Sequence, residues 1–391
     1  MKNLVKNSNS NSKTKALFWA KKAALSLSTV LVMLATGNQA IANIGLKTDS
    51  GWETTISGSI PVFVVSSVHD KDETAFRIQS GFNPANLNFY VNAPKMENGL
   101  TVSGHFQINT HLNAPKGVQN GGLFESRIAN IQLSGHWGTF TLGKDFGVFN
   151  SNAIGDIASQ GGVGWLGGGA DTGNATGGRI GTGYVYANFN PQVKFTSKNI
   201  GGLVIKLALI NPEEPNDEDI ETDSPRIEGQ ITYHTDGLKL WVGVLQQNVT
   251  VLGINAFNYD MQGFDVGTHL DLGSFGLTLA YTDTTGIGAD GLYGGTINDA
   301  DVDATQWYIE VDYKIDKTRI GISYGEGHQD NRKNDSLKGL TTVTEITNEL
   351  SMLFVHYQMS PAFRLIGEVQ NYQSDVQNNY QALVLGFQYD F

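Results

Sequence analysis

Residues 380–391, YQALVLGFQYDF, alternate apolar and polar side chains and finish on an aromatic residue. Tyr389, Phe387, Leu385 and Leu383 fall on one side of this run, and Asp390, Gln388 and Gly386 on the other. A strand with one greasy and one wet face has to cover the greasy one. A closed antiparallel barrel, with lipid outside and water inside, does so with every backbone group paired.

The same period recurs along the chain. In Thr305–Ile315 the residues Thr305, Trp307, Ile309, Val311, Tyr313 and Ile315 oppose Gln306, Tyr308, Glu310, Asp312 and Lys314, so the charges keep to one face. Leu100–His111 and Phe264–Leu272 behave alike, the latter with Asp265, His269 and Asp271 on its inner side. Sixteen such runs begin near residues 52, 74, 100, 123, 139, 181, 201, 225, 238, 260, 275, 303, 318, 347, 362 and 380. Tight links such as Met96-Glu97-Asn98-Gly99, His136-Trp137-Gly138, Asp236-Gly237 and Asp316-Lys317 alternate with long polar stretches at 112–122, 147–180, 211–224, 286–302 and 328–346. Short turns on one rim and long loops on the other are the plan of an even-stranded outer-membrane barrel. The expected fold is therefore all-β, a transmembrane antiparallel β-barrel of sixteen strands. A soluble sandwich of short strands would show similar alternation, but an export leader at residues 1–42 and the terminal aromatic favour the barrel. Pro61, Pro84 and Pro191 break the pattern, and the parity of Arg127-Ile128 disagrees with that of Ile131 and Leu133, so bulges or breaks are expected there.

Lys13, Lys15, Lys21 and Lys22 precede an apolar stretch from Ala23 to Ala35, followed by Ala40-Ile41-Ala42. This is the layout of a secretory signal with an A-x-A cleavage site, too short at roughly 13 apolar residues for a spanning helix. Residues 1–42 are read as signal peptide and 43–391 as the barrel. Removing 1–42 takes away six lysines and no acids, leaving 26 − 6 = 20 basic against 38 acidic side chains, a charge of −18. That balance argues against nucleic acid and favours cations at long range. With no cysteine, neither disulfides nor thiolate metal sites can form.

The segment Gly138–Phe195 resembles the general diffusion porins of Gram-negative outer membranes. The resemblance rests on Leu142-Gly143-Lys144-Asp145-Phe146-Gly147-Val148 leaving the fifth strand, a long Gly-rich loop, and Gly178-Arg179-Ile180-Gly181 entering the sixth. It implies a water-filled channel in the outer membrane through which small hydrophilic solutes and ions diffuse passively, a homotrimer, no cofactor, no bound metal and no enzymatic step. It also implies that the third loop, 147–180, folds inward so that its acids face an arginine cluster on the wall. Carried over, the cluster is Arg77, Arg127 and Arg179, and the loop acids are Asp156 and Asp171. On parity Arg77 and Arg179 point inward, the latter ahead of outward Tyr184 and Tyr186. Phe387, Tyr389 and Phe391 form the C-terminal signal for barrel assembly. Where the family often has Pro-Glu-Phe-Gly-Gly, this chain reads Ala158-Ser159-Gln160-Gly161-Gly162, which puts a strong transverse field in doubt. The overall −18 favours cations at the mouths and the arginines favour anions locally; the balance is taken as cation-preferring. A solute-selective channel and a plugged barrel acting in surface interaction are the alternative functions.

Other motifs carry less. Gly162-Val163-Gly164-Trp165-Leu166-Gly167 matches G-x-G-x-x-G but lacks the strand before and the helix after that dinucleotide binding requires. Asp299, Asp301, Asp303 and Glu310 have calcium-loop spacing, with Ala304 where glycine belongs. The acids Glu213, Glu214, Asp217, Glu218, Asp219, Glu221 and Asp223 lie on a predicted external loop, where divalent cations could bridge them to lipopolysaccharide or other outer-membrane lipid; a merely solvated loop explains them as well. Ser103 with His105 is a pair that alternating strands produce by chance. Trp52, Trp137, Tyr233, Trp307 and Tyr357 read as interfacial girdle residues, and Trp165 as loop packing or a stacking surface for a sugar.

Overall fold

The ladder begins where backbone extension and alternate side chains coincide, at Glu53. The computed structural model describes residues 44–70, 73–112, 124–167, 176–212, 220–222, 224–252, 256–291, 300–331 and 345–391. Its first half comprises β1 (Ile44–Lys47), β2 (Glu53–His69), β3 (Thr74–Gln79), β4 (Ala85–Asn92), β5 (Thr101–Thr110), β6 (Phe124–Gly135), β7 (Gly138–Phe146), the four-residue helix α1 (Ile157–Gln160), β8 (Phe189–Ser197) and β9 (Leu203–Ile210). The second comprises β10 (Ile220–Glu221), β11 (Arg226–Thr235), β12 (Leu238–Val251), β13 (Phe257–Leu272), β14 (Phe275–Thr285), β15 (Asp303–Ile315), β16 (Thr318–Gln329), β17 (Ile346–Ser360), β18 (Phe363–Ser374) and β19 (Tyr380–Asp390).

Each wall strand pairs antiparallel with the next, and β19 closes on β2 from Tyr380↔His69 to Asp390↔Ser59. β3 and β4 both pair with β2 and share one wall position. β1 and β10 are short additions to β2 and β12. Among the described residues this leaves sixteen wall strands, as the alternation predicts. The expected leader, residues 1–42, lies outside the described residues.

Two departures from the predicted plan have local causes. The second strand is interrupted over 80–84, ahead of Pro84, a residue that cannot donate to a ladder. The sixth begins at Phe189, not near 181, because Gly178 (φ 60°), Gly181 (φ 73°) and Asn188 (φ 55°) turn the backbone into the left-handed region, where no ladder continues. Arg179 is consequently off the wall, and Tyr184 is fully buried instead of facing lipid.

The expected bulge is present. Gln107 pairs with Ile128 and Ile108 with Ser126, so Arg127 is the extra residue and the parity of β6 reverses there.

The outer face is an exposed apolar belt that includes Phe106, Ile131, Val244 and Ile322. Aromatic contacts border it: Phe275 with Tyr313 at 4.5 Å near the short turns, and Trp307 with Tyr324 at 5.5 Å nearer the long loops. On the inner face the wall is not uniformly wet. Phe63, Val65, Leu350, Met352, Phe354, Ile366 and Val384 point inward and form a core with Ala158 and Val163 of the segment after β7. Phe149 and Val185 pack likewise against Leu245, Val249 and Met261. The core of this protein thus lies between the wall and that segment.

Candidate functional site

The segment leaving β7 is attached to the wall by carboxylates that receive its backbone N–H groups. Glu228 of β11 accepts from Val148 at 2.6 Å and Phe149 at 2.9 Å, and Asp265 of β13 accepts from Asn150 at 3.0 Å. Glu310 of β15 accepts from Ile157 at 2.6 Å and Ala158 at 3.0 Å, and Glu368 of β18 accepts from Val163 at 2.9 Å. Neutral groups add to these: Tyr308 donates to the Ala153 carbonyl at 2.8 Å, and Tyr380 accepts from Leu166 at 3.0 Å. Buried backbone donors in an irregular segment need such acceptors. Among the described residues, the hydrogen bonds from 148–166 to wall strands all fall on β11 to β19.

Within the segment, Asp156 caps α1 by accepting from the Ser159 N–H at 3.0 Å. It also faces Arg179, whose Nε lies 3.7 Å from its Oδ2, and both side chains are 0 % exposed. Arg179 donates to the Leu350 carbonyl at 3.1 Å and stands 5.7 Å over the Tyr308 ring. The Tyr184 hydroxyl accepts from the Arg179 N–H at 2.9 Å and lies 3.1 Å from Ser159 Oγ. Burial, with Asp156 adding to it, pushes the Tyr184 hydroxyl well above its ordinary range. This is an interior joint, closed to water.

The predicted site residues therefore separate. Arg179 and Asp156 do meet, but inside the packing. Arg77 sits between exposed Phe76 and Ile78 and faces inward, as its parity predicts. The bulge turns Arg127 to the interior as well, where its Nε lies 3.0 Å from Glu125 and its guanidinium 5.2 Å from the Phe189 ring centroid. Asp171 lies outside the described residues. Phe391 pairs with Gly58 through both backbone groups, at 2.8 and 3.0 Å, and stacks on Tyr389 at 5.9 Å. Phe387 is on the lipid side of β19, with Leu385.

The anchoring role of some side chains was not legible in the sequence. Glu228 and Glu368 were unremarkable members of wet faces, and Glu310 stood out only for its calcium-loop spacing. The signal that could have found their role is the loss of alternation nearby: Met352–Val355 is apolar on both faces, as a strand covered on both sides should be. The inner faces of β4 to β8 are polar by contrast. There Tyr90 stacks on His105 at 4.1 Å, His105 lies 3.0 Å from Asn88, and Lys194 lies 2.7 Å from Asp145. Lys206 and Lys239 face inward on β9 and β12.

The rejected motifs have structural explanations. Gly164 (φ 60°) lies against the Gly178 backbone, and Gly162 leaves room only for the Glu368 carboxylate, so these glycines serve packing. Glu310 is engaged by Ile157 and Ala158, and Asp303 accepts from the Thr285 hydroxyl at 2.8 Å. Asp299 and most of the acids from 213 to 223 lie outside the described residues. No cluster of three metal-binding side chains occurs among the described residues.

The model of the family described as Gram-negative porin matches residues 27–390. Similar solved structures include an anion-selective porin from Comamonas acidovorans, 15% identical, covering 87% of this chain and 100% of that one, with a TM-score of 0.65. The outer membrane channel DcaP of Acinetobacter baumannii is 16% identical, with 89% and 99% covered and a TM-score of 0.68. The trimer form of OmpT of Vibrio cholerae is 14% identical, with 87% and 99% covered and a TM-score of 0.58. No curated protein matches the chain at the level of sequence.

Proposed function

The chain belongs to the Gram-negative porin family, and from that premise we propose that its outer-membrane channel is narrowed by residues 147–167 and conducts along the polar inner faces of β4 to β8. That it is an outer-membrane channel for passive diffusion of solutes follows from the family and from the sixteen-stranded barrel. The observation that carries the narrower reading is the row of wall carboxylates, Glu228, Asp265, Glu310 and Glu368, each spent on a backbone N–H of the same segment. A segment held at so many points has one position, and a bore with one fixed narrow point sorts solutes by size.

The assembly is read as a homotrimer, supported by the trimeric state of the OmpT relative and by the exposed apolar belt of the single barrel. Residues 1–42 are read as a signal removed on export. Chemistry plays no part in this reading, since the solute's own gradient drives passage. Arg77 and Arg127 are taken as the wall charges that meet the solute, with Glu125, Asp145 and Lys194; Arg179 and Asp156 hold the segment instead. Bridging to lipopolysaccharide through divalent cations remains a reading of the acidic loops alone.

Recording in planar bilayers under a salt gradient tests the reading. Stepwise conductance with closures in threes is the expected result, and an absence of conductance would favour a plugged barrel.

A further inference from the structure

A recess of about 610 Å³ opens inside the barrel near its long-loop rim, between β2, β3, the hairpin joining β18 to β19, and the tip of the segment at Trp165. Its volume is in the range of small-molecule sites. Ser67, His69 and Arg77 contribute from the wall, and Gln377 and Asn378 from the hairpin. Ser67 Oγ lies 2.9 Å from His69 Nε2, which fixes that ring. Gln377 is held from the other side, where its Oε1 accepts from the Tyr372 hydroxyl at 3.1 Å.

Trp165 gives the recess its indole face, beside Tyr372 and Tyr380 on the same lining. The indole is half-buried and packs against Tyr372 with ring centroids 6.2 Å apart, while still lining the recess. Its backbone is clamped: its N–H donates to Gly178 at 2.7 Å, its carbonyl accepts from Gly177 at 2.8 Å, and the next residue donates to Tyr380. A platform of this kind needs no ordering when a ligand arrives.

The charge balance narrows the ligand. Arg77 is accompanied by Glu73 at the same recess, so the site has no surplus for a carboxylate or phosphate. Polar side chains that both donate and accept, beside one indole, match vicinal hydroxyls and the apolar face of a pyranose ring. We propose that this recess is a binding site for neutral saccharides of one or two rings, a dwell point ahead of the narrow part of the bore. The inference rests on the channel reading above and names a solute class for it.

The test is block of ion current by maltose in planar bilayers, with gluconate as the anionic counterpart and glycerol as the viscosity control. Maltose should reduce the current along a saturating curve, and gluconate and glycerol only in proportion to viscosity. Trp165→Leu and Asn378→Ala should each raise the half-blocking maltose concentration, by about two- to tenfold for the former. The exposed Asn378 guards against a folding artefact at Trp165. Non-saturating block by maltose, saturation by gluconate alone, or unchanged half-block in both variants would overturn the proposal while leaving the channel reading intact. Absence of any current would instead count against the channel reading.

Discussion

Glu310 receives two consecutive backbone N–H groups, those of Ile157 and Ala158, one on each carboxylate oxygen. A single wall side chain thereby fixes the start of α1. Glu310→Gln keeps the size but offers one acceptor where two N–H groups arrive, at a cost of about 2 kcal/mol. The expected result is greater open-channel current noise and an earlier loss of the compact, heat-modifiable band on gels. Wild-type noise together with wild-type melting would show that this anchor is dispensable.

Arg179 and the pair Arg77 with Arg127 should separate in their effects. Arg179→Gln leaves Asp156 buried opposite a neutral group, a change that costs about 3–5 kcal/mol, yet it should not shift the reversal potential in a salt gradient. Replacing Arg77 and Arg127 together by glutamine should raise cation preference. If Arg179→Gln refolds and alters selectivity, the buried placement of that side chain is wrong.

Alkaline pH offers a separate probe of the interior joint. The Tyr184 hydroxyl is raised when folded, so the folded state keeps its proton where the unfolded chain loses it. Linkage then makes its contribution complete below about pH 10 and lost as pH rises beyond it. Thermal stability should fall above that point. Tyr184→Phe should begin lower by about 1 kcal/mol, through the lost hydroxyl bonds, and fall less steeply. Parallel pH curves for the two proteins would remove Tyr184 from the explanation.

The bulge in β6 predicts an asymmetry between neighbouring deletions. Deleting Arg127 removes the unpaired residue and lets Ser126 and Ile128 continue one register. Deleting Asn130 shifts the strand by one and exchanges its lipid and interior faces. Folded yield in detergent should survive the first deletion and collapse with the second. Equal yields would contradict the register described for β5 and β6.

Much of this was legible because a strand's two faces write themselves into alternate letters. The starts of fifteen strands lie within three residues of the expected positions, and the parity conflict at Arg127 identified the bulge. Alternation could not show what covers an inner face: the apolar inner run Leu350, Met352 and Phe354 signals a cover without saying that the segment after β7 supplies it. Nor could it foresee that Gly178, Gly181 and Asn188 would turn the backbone away from extension, which moved Arg179 from wall to interior. Arg77, flanked by Phe76 and Ile78 in an uninterrupted run, needed only parity for its inward direction.

On the proposed channel, the anchoring carboxylates all stand on β11, β13, β15 and β18, so the free passage would be off-centre. A travelling solute would brush mainly the side chains of β4 to β8, less than half the circumference. Variation that retunes permeability can therefore accumulate on that arc without loosening the opposite one. On that reading, rigidity and the sorting of charge would be written on different sides.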